Sequence, residues 1–441
     1  MPSAIAHDFS GYRHFTANLR RLADVPSWDA AQEEVITALL DGAAGRELRK
    51  LVELPTRRAF GAFFTGSELA EKLMGPLKLR ADEHFIYDPT VGAGDLLLAG
   101  ARRLPLRGSL TATLSAWGQC LAGTDLHAEF IEAAQLRIAL LARQLHGGRE
   151  TLPVGWRKLF PHIKRGDGLK QKALFARATH LLMNPPYCLT EADATCTWSG
   201  GRISEAALFV MRALELAPAS ARLFAILPDV LRSGSFQHHW RERVSDLATV
   251  ESVTRHGIFD DSADVDVFLL KLRRRADADT QSKRWPVATV IIGETVGDYF
   301  DVHVGRVVPH RDVEKDEFPL RRYIHPRNIP VWQEVTRITE KRRHKLAYQP
   351  PFVVLRRTSR PGHPYRAAAT VILGKAPVAV ENHLIVCEPH DQSADTCRTL
   401  MAQLHTQRVN DFLDQRIRCR HLTVGAVAAI PFKPQLKAKS R

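Results

Sequence analysis

The sequence predicts an α/β protein in which a mostly parallel sheet wrapped by helices is followed by a basic domain of mixed α and β structure. Between Phe85 and Arg275, short apolar runs alternate with longer helical patterns, as in parallel sheets with helical crossovers. Polar turns follow several of these runs where a strand would end. A polar, proline-bearing stretch at Arg273–Pro286 then breaks the pattern and predicts a domain boundary.

Three parts are expected along the chain. Residues 1–58 form a helical segment, in which Ser27 caps a helix and Glu33–Leu40 has amphipathic spacing. Residues 59–275 form the sheet domain, and residues 282–441 form the second domain. The predicted strands of the sheet domain are Phe85–Tyr87, Cys120–Thr124, His180–Met183, Leu223–Leu227, Val250–Arg255 and Val265–Leu272, with helices at Ala128–Leu145 and Ala206–Ala217. The second domain has predicted strands at Val287–Ile292, Phe352–Leu355, Ala369–Leu373 and His383–Val386, and a helix at Asp395–Asp414.

Composition limits the class of protein. The 441 residues are 45% hydrophobic and 25% charged, which is globular material sufficient for two cores. No apolar run approaches the roughly 20 residues that cross a bilayer, and Met1–Ser10 lacks a signal-peptide pattern. We therefore expect a cytoplasmic protein without membrane contact. The six cysteines have neither the paired spacing of a zinc site nor the density of a disulfide scaffold, so we expect free thiols and no metal.

Three turns at predicted strand ends carry the residues of a ligand site. The first reads Asp88-Pro89-Thr90-Val91-Gly92-Ala93-Gly94, where glycines let a ligand approach the backbone. Leu97 stands where the dinucleotide fingerprint has its third glycine, which disfavours a nicotinamide cofactor. About 30 residues on, the turn at Asp125 and Leu126 offers a carboxylate for ribose hydroxyls. The turn at Asp167 and Gly168 is suited to the amino group of adenine.

The most specific segment is Asn184-Pro185-Pro186-Tyr187, which follows an apolar strand. Two prolines fix an extended turn without amide donors, so carbonyl groups remain available as acceptors. The Asn184 side-chain oxygen and the Pro185 carbonyl suit the two N–H groups of an aromatic amine, whose lone pair is then free to attack a sulfonium methyl group. Tyr187 offers a stacking face for the base. This tetrapeptide is therefore the predicted catalytic centre.

With these motifs in this order, the chain resembles the gamma-class N6-adenine DNA methyltransferases of restriction-modification and phage-defence systems. The resemblance covers most of residues 59–275. It implies a Rossmann-like class I methyltransferase domain with a seven-stranded, mostly parallel sheet, S-adenosylmethionine as cofactor, and a target adenine flipped out of the duplex. It also implies that the stacking partners of that base are Tyr187 and Phe259. The implied cofactor-binding residues are Phe64, Thr65, Asp88, Pro89, Gly92, Gly94, Asp125, Leu126, Asp167, Gly168 and Asn184. Gly66 stands where this family usually has proline, which predicts a looser turn.

The second domain resembles target-recognition domains more loosely, and its charge supports an anionic partner. By count, residues 1–270 hold about 31 Lys and Arg against about 31 Asp and Glu, whereas residues 271–441 hold about 31 against 17. The whole net charge of +14 thus lies in the C-terminal part. Double-stranded DNA is the predicted partner, with a restriction nuclease or defence-system subunit as a further one. The candidate DNA contacts are Arg356, Arg357, Arg360, Arg418 and Arg420.

Two alternatives remain open at this stage. A methyltransferase of the same fold that acts on RNA or on a protein glutamine also places Asn-Pro-Pro-aromatic after this strand. A DNA-binding subunit of a defence complex that retains the fold for assembly is the second. The upstream Phe63-Phe64-Thr65 motif and the basic second domain disfavour the first, and the intact Asn184 disfavours the second.

Overall fold

The computed structural model describes residues 9–192, 196–259, 265–276, 285, 293–418 and 420–434. The chain divides into two compact units: residues 1–231 with 239–286, and residues 232–238 with 287–441. The predicted strand Val287–Ile292 lies outside the described residues. Within the described part of the chain, no helix has the length and apolarity that crossing a membrane requires.

The N-terminal segment is helical and belongs to the first unit. Its helices are α1 (Arg13–Asp24), α2 (Ala30–Leu40), α3 (Ala43–Leu51), α4 (Leu54–Phe60) and α5 (Ser67–Met74). The prediction that Ser27 caps the second helix is wrong. Asp29 is the cap, since its side chain accepts a hydrogen bond from the Gln32 amide. In turn, the Asp29 amide donates to the side-chain oxygen of Gln32.

The first unit is built on a seven-stranded sheet. Its elements, in chain order, are β1 (Ile86–Asp88), α6 (Asp95–Ala101), α7 (Leu110–Cys120), β2 (Leu121–Asp125), α8 (Ala128–Leu145), β3 (Ile163–Arg165), α9 (Lys172–Arg177), β4 (His180–Met183), the hairpin β5 (Leu189–Glu191) and β6 (Arg202–Ser204), α10 (Glu205–Leu216), β7 (Arg222–Pro228), α11 (Asp229–Ser233), α12 (His238–Leu247), β8 (Ala248–Ile258) and β9 (Asp266–Arg274). The strand order is β3-β2-β1-β4-β7-β9-β8. Only β9 runs against its neighbours; the other pairings are parallel. The predicted seven-stranded, mostly parallel sheet is confirmed.

Alternation along the strands explains why helices cover both faces of this sheet. Ile86 and Leu182 point into one core, shared with α1 to α8, whereas Tyr87 and Leu181 point into another, shared with α9, α10 and α12. Successive strand residues face opposite sides, so strands buried on both faces are apolar throughout. This explains why they read as continuous apolar runs in the sequence.

The second unit is a mixed α+β structure. Its elements are β10 (Phe300–Val304), β11 (Leu320–Ile324), β12 (Glu334–Val335), β13 (Lys341–Arg343), β14 (Phe352–Arg356), β15 (Ala369–Ile372), β16 (Val378–Val380), β17 (Leu384–Pro389), α13 (Ala394–Leu404), α14 (Gln407–Arg416) and α15 (Val424–Ala428). They form a five-stranded sheet, β10-β17-β14-β15-β12, and a three-stranded sheet, β13-β11-β16. The single predicted helix Asp395–Asp414 is wrong, because Thr406 takes an extended conformation and starts a new helix.

Candidate active site

The predicted site residues converge on one edge of the seven-stranded sheet. Strands β3, β2, β1 and β4 are neighbours and run parallel, so their carboxyl ends lie side by side. A cavity of about 240 Å³ at this edge is lined by Asp125, Asp167 and Asn184, and a smaller one of about 20 Å³ by Thr65, Asp88 and Asn184. The other predicted cofactor residues that line one or both cavities are Phe64, Pro89, Gly92, Leu126 and Gly168. Pro186 lines the larger cavity, whereas Gly94, Pro185, Tyr187 and Phe259 line neither cavity.

Close backbone contacts explain the glycines of these turns. Gly92 has φ 51°, and a Cβ there would lie 2.8 Å from the Phe64 ring. A Cβ on Gly168 would lie 2.0 Å from the carbonyl oxygen of Pro89, which no side chain tolerates. Gly94 has φ 90° and packs against helix α8. Its role is therefore to bring the turn onto that helix.

Two carboxyl groups, one buried and one partly buried, form the polar floor of the site. Asp88 accepts a 2.9 Å hydrogen bond from the Thr90 amide, and burial raises the pKa of Asp88 to about 8. Asp125 accepts from the Gly92 amide (3.1 Å) and the His127 amide (2.9 Å). Burial raises the pKa of Asp125 to about 6. Desolvation disfavours the charged form of both groups, so a ligand that brings hydroxyl donors or positive charge is favoured here.

The larger cavity combines an acidic end with apolar contacts. Asp167 accepts from the Leu169 amide at 3.0 Å, which fixes the turn after β3. Glu205, which the sequence analysis did not single out, lines the same cavity, and burial raises its pKa. Leu126 is 59% exposed, although it is apolar. The cavity therefore offers acceptors and an apolar face together, as small-molecule sites do.

The Asn184 carboxamide has a fixed orientation. Its Nδ2 donates to the carbonyl oxygen of Phe63 and to Oγ1 of Thr65, both at 3.2 Å. Because a carbonyl can only accept, the nitrogen must face Phe63. Oδ1 therefore faces the other way, where the Tyr187 hydroxyl donates to it at 2.8 Å. A carbonyl oxygen has two lone pairs, so Oδ1 keeps the capacity for a second donor.

The turn that follows Asn184 is packed on both sides. Pro185 is buried, and Pro186 lies so close to Gly61 that a Cβ there would approach Pro186 Cβ to 2.7 Å. The Tyr187 and Phe259 rings are in contact, with centroids 6.1 Å apart and planes at 81°. The predicted stacking partners are thus neighbours, edge to face. Burial raises the pKa of Tyr187, which keeps its hydroxyl a donor.

A buried ion pair that the sequence analysis missed supports the loop that holds Asn184. Asp95 and Arg137 meet at 2.8 Å with side chains 6% and 0% exposed. The second oxygen of Asp95 accepts from the Gly66 amide at 2.8 Å. The expectation that glycine loosens this turn is wrong, because Gly66 donates an N–H that proline lacks, at a φ of 72° that proline cannot adopt.

The N-terminal segment packs on the same loop. The Tyr12 ring lies 5.9 Å from Phe64, and Phe64 lies 5.0 Å from Phe130 of helix α8. Arg137 also reaches the carbonyl oxygen of Leu40, the last residue of α2, at 3.5 Å. The segment therefore supports the wall of the cavity from behind.

Four of the predicted DNA contacts lie on or beside two paired segments of the second unit. The Ser359 amide donates to the Arg420 carbonyl at 2.8 Å, and the Leu422 amide donates to the Arg357 carbonyl at 2.7 Å. This pairing places Arg357 and Arg360 beside Arg420, with Arg418 two residues away. Two of the predicted contacts bond their own unit: the half-buried guanidinium of Arg356 donates to the carbonyl oxygens of Pro326 and Ile329, and Arg357 Nη1 donates to the carbonyl oxygen of Asn382 at 3.2 Å.

Comparisons with known proteins give a likeness of fold. No protein-family model and no curated protein matches the chain. The type IIG restriction endonuclease BpuSI is 14% identical, with 89% of this chain and 61% of BpuSI covered and a TM-score of 0.40. DrdV, in a structure of its complex with DNA, is 16% identical, with 60% of this chain and 31% of DrdV covered and a TM-score of 0.42. A type I restriction-modification methyltransferase subunit from Streptococcus thermophilus is 17% identical, with 49% of this chain and 45% of that protein covered and a TM-score of 0.33. The chain spans less than two thirds of each of these three proteins.

Proposed function

We propose that the chain is a site-specific DNA methyltransferase that transfers a methyl group from S-adenosylmethionine to N6 of a flipped adenine, in a restriction-modification or phage-defence system. The proposal depends on one observation: the Asn184 carboxamide lines both cavities, and its hydrogen bond to the Phe63 carbonyl fixes its orientation. It stands beside three acidic turns of a class I methyltransferase sheet.

The described residues fit S-adenosylmethionine. Asp125 would accept from the ribose hydroxyls and Asp167 from the adenine amine, while the Gly92 turn and Thr65 would hold the methionine part. The carboxyl groups of Asp88 and Asp125, with raised pKa, favour a ligand that carries positive charge and hydroxyl donors, and this cofactor has both. When bound, it supplies an electrophilic methyl group on a sulfonium.

Asn184 would prepare the acceptor nitrogen. Its Oδ1 takes one N–H of the adenine amine on the lone pair that Tyr187 leaves unused, and the Pro185 carbonyl takes the other. Two such bonds localise the nitrogen lone pair and orient it. Nδ2 stays bound to Phe63 and Thr65, so the amide does not rotate. The methylated amine is acidic, so its proton leaves to water without a strong general base.

The target base must leave the duplex to reach this site. Tyr187 and Phe259 now meet edge to face, so one ring must turn for the base to stack on it. The second unit would bind the DNA through Arg360 and Arg420. Arginine contacts to phosphates release counterions, so affinity should fall with salt. Arg360→Ala should reduce the slope of log affinity against log salt by about 1.

Transfer of labelled methyl groups to duplex DNA, RNA and protein tests the proposal. We expect label in DNA, loss of transfer in Asn184→Ala with cofactor binding retained, and no change in Asn18→Ala, an exposed asparagine of α1. Label in RNA or protein alone would establish the same-fold alternative. DNA binding without transfer to any substrate would establish a non-catalytic subunit.

A further inference from the structure

The second unit contains a cavity of about 560 Å³ that the proposed chemistry does not use. Its lining includes two carboxylates, three histidines and a tyrosine, among them Tyr323, His325, Glu340, Glu381 and His383. Glu381 and His383 lie between strands β16 and β17. The cavity therefore joins hydrogen-bonding groups from separate parts of this unit.

Glu381 is held as a fixed acceptor in this cavity. Its side chain is 13% exposed, and its two oxygens contact His383 Nδ1 at 2.6 Å and the Tyr323 hydroxyl at 2.9 Å. Burial and the Glu381 charge raise the pKa of Tyr323, so the tyrosine remains a donor. A second carboxylate of the cavity, Glu340, contacts His325 at 3.0 Å. Each oxygen of a carboxylate accepts more than one hydrogen bond, so Glu381 retains capacity for a ligand.

Cationic side chains lie beside these acceptors. Arg327 lines the cavity and is exposed. Thr358 also lines it, and Thr358 pairs with His421 in the same backbone pairing that brings Arg360 and Arg420 together. Carboxylate acceptors inside the cavity and arginines beside it fit a nucleic acid. Its phosphates would contact the arginines, and the edge of a base would contact a carboxylate. A small anionic ligand would be repelled by Glu381 and Glu340.

We propose that this cavity is a base-reading site and that Glu381 accepts a hydrogen bond from the exocyclic amine of a cytosine in the recognition sequence. A carboxylate accepts from cytosine N4 in the major groove and is repelled by the acceptors of guanine and thymine. His383 and Tyr323 would be positioning residues that hold the carboxylate. The inference rests on the proposed function in that it takes duplex DNA as the substrate.

Selection of bound duplexes from a randomised library by the full chain tests the inference. We expect wild type to select a sequence containing cytosine, and Glu381→Gln to lose about tenfold of its discrimination at that one position, with adenine gaining there because glutamine pairs with adenine. Glu388→Gln is the matched control, since this half-buried glutamate of β17 does not line the cavity. Its selected sequence should equal that of wild type.

Several results would overturn the inference. An unchanged sequence in Glu381→Gln, or an equal loss of affinity for all sequences, would mean a structural or phosphate-binding role. If circular dichroism shows that Glu381→Gln does not fold, Glu340→Gln is tested in its place. We then expect Glu340→Gln to change the selected sequence at one position, and an unchanged sequence would mean that the cavity does not contact bases. A wild-type protein that selects no sequence also refutes it. If the protein selects a sequence but transfers no methyl group, the proposed function is wrong and the base-reading site is still supported.

Discussion

The buried pair of Asp95 and Arg137 yields a prediction whose magnitude follows from burial. Asp95→Asn keeps the shape of the side chain and an acceptor for Gly66, but it removes the charge that compensates the guanidinium. With side chains 6% and 0% exposed at 2.8 Å, solvent screening does not reduce the effect. Removing one partner of such a pair costs about 3–5 kcal/mol. Because Asn can still accept a hydrogen bond, we expect about 3 kcal/mol, which is more than a hundredfold in the unfolding equilibrium constant.

Urea unfolding followed by tryptophan fluorescence measures the loss of stability of the first structural unit. Six of the seven tryptophans belong to that unit, and only Trp332 belongs to the second. The double variant Asp95→Asn/Arg137→Met should lose less stability than the sum of the single variants, because no unpaired charge remains buried. A loss below about 1 kcal/mol in Asp95→Asn, as for surface pairs, or strict additivity in the cycle, would refute the reasoning.

Three further predictions concern the cavities at the sheet edge. Thr65→Val removes one of the two hydrogen bonds that Asn184 Nδ2 donates, so kcat at saturating cofactor should fall about 3- to 10-fold, and cofactor affinity should weaken because the hydroxyl proposed to hold the methionine part is lost; Thr65→Ser should restore both, and failure to restore kcat would refute the positioning role. The pKa of Asp125 is raised to about 6, so its carboxylate form predominates above that pH, and calorimetry should show cofactor affinity rising from pH 5 to pH 7; the same rise in Asp125→Asn would exclude Asp125 as its cause. Gly168→Ala should destabilise the first unit by about 1–3 kcal/mol because its Cβ meets backbone, whereas Gly200→Ala, with open space around it, should change stability little; equal effects of the two would contradict the packing described.

Most of the first unit was predictable because its elements carry strong periodic signals. Helix Ala128–Leu145 has the predicted ends. The sites at Asp125, Asp167 and Asn184 line one cavity because parallel strands end at a common edge, so the order of the motifs along the chain was enough to place them together.

The supporting contacts were beyond the reach of sequence reasoning. Asp95 reads as an ordinary acidic residue in the first turn of a helix, and Arg137 as a polar position in an amphipathic one. Their pairing spans 42 residues and depends on how α6 packs against α8. Short strands of the second unit were missed for a related reason: β11 carries two arginines in five residues and has no alternating apolar pattern.

Arg356 shows that composition also misassigns individual side chains. It lies in a run of arginines that suggests a DNA contact, yet its guanidinium bonds backbone carbonyls of its own unit. Charge patterns identify a basic surface, whereas the bonding of each arginine depends on the fold around it.

The identity of the modified nucleoside decides whether N6 of adenine is the methyl acceptor. Duplex DNA incubated with the full chain and S-adenosylmethionine is digested to nucleosides and analysed by mass spectrometry, with Asn184→Ala as the control. We expect N6-methyldeoxyadenosine from wild type and none from the variant. Methylation of cytosine instead of adenine, or equal adenine methylation by Asn184→Ala, would contradict it.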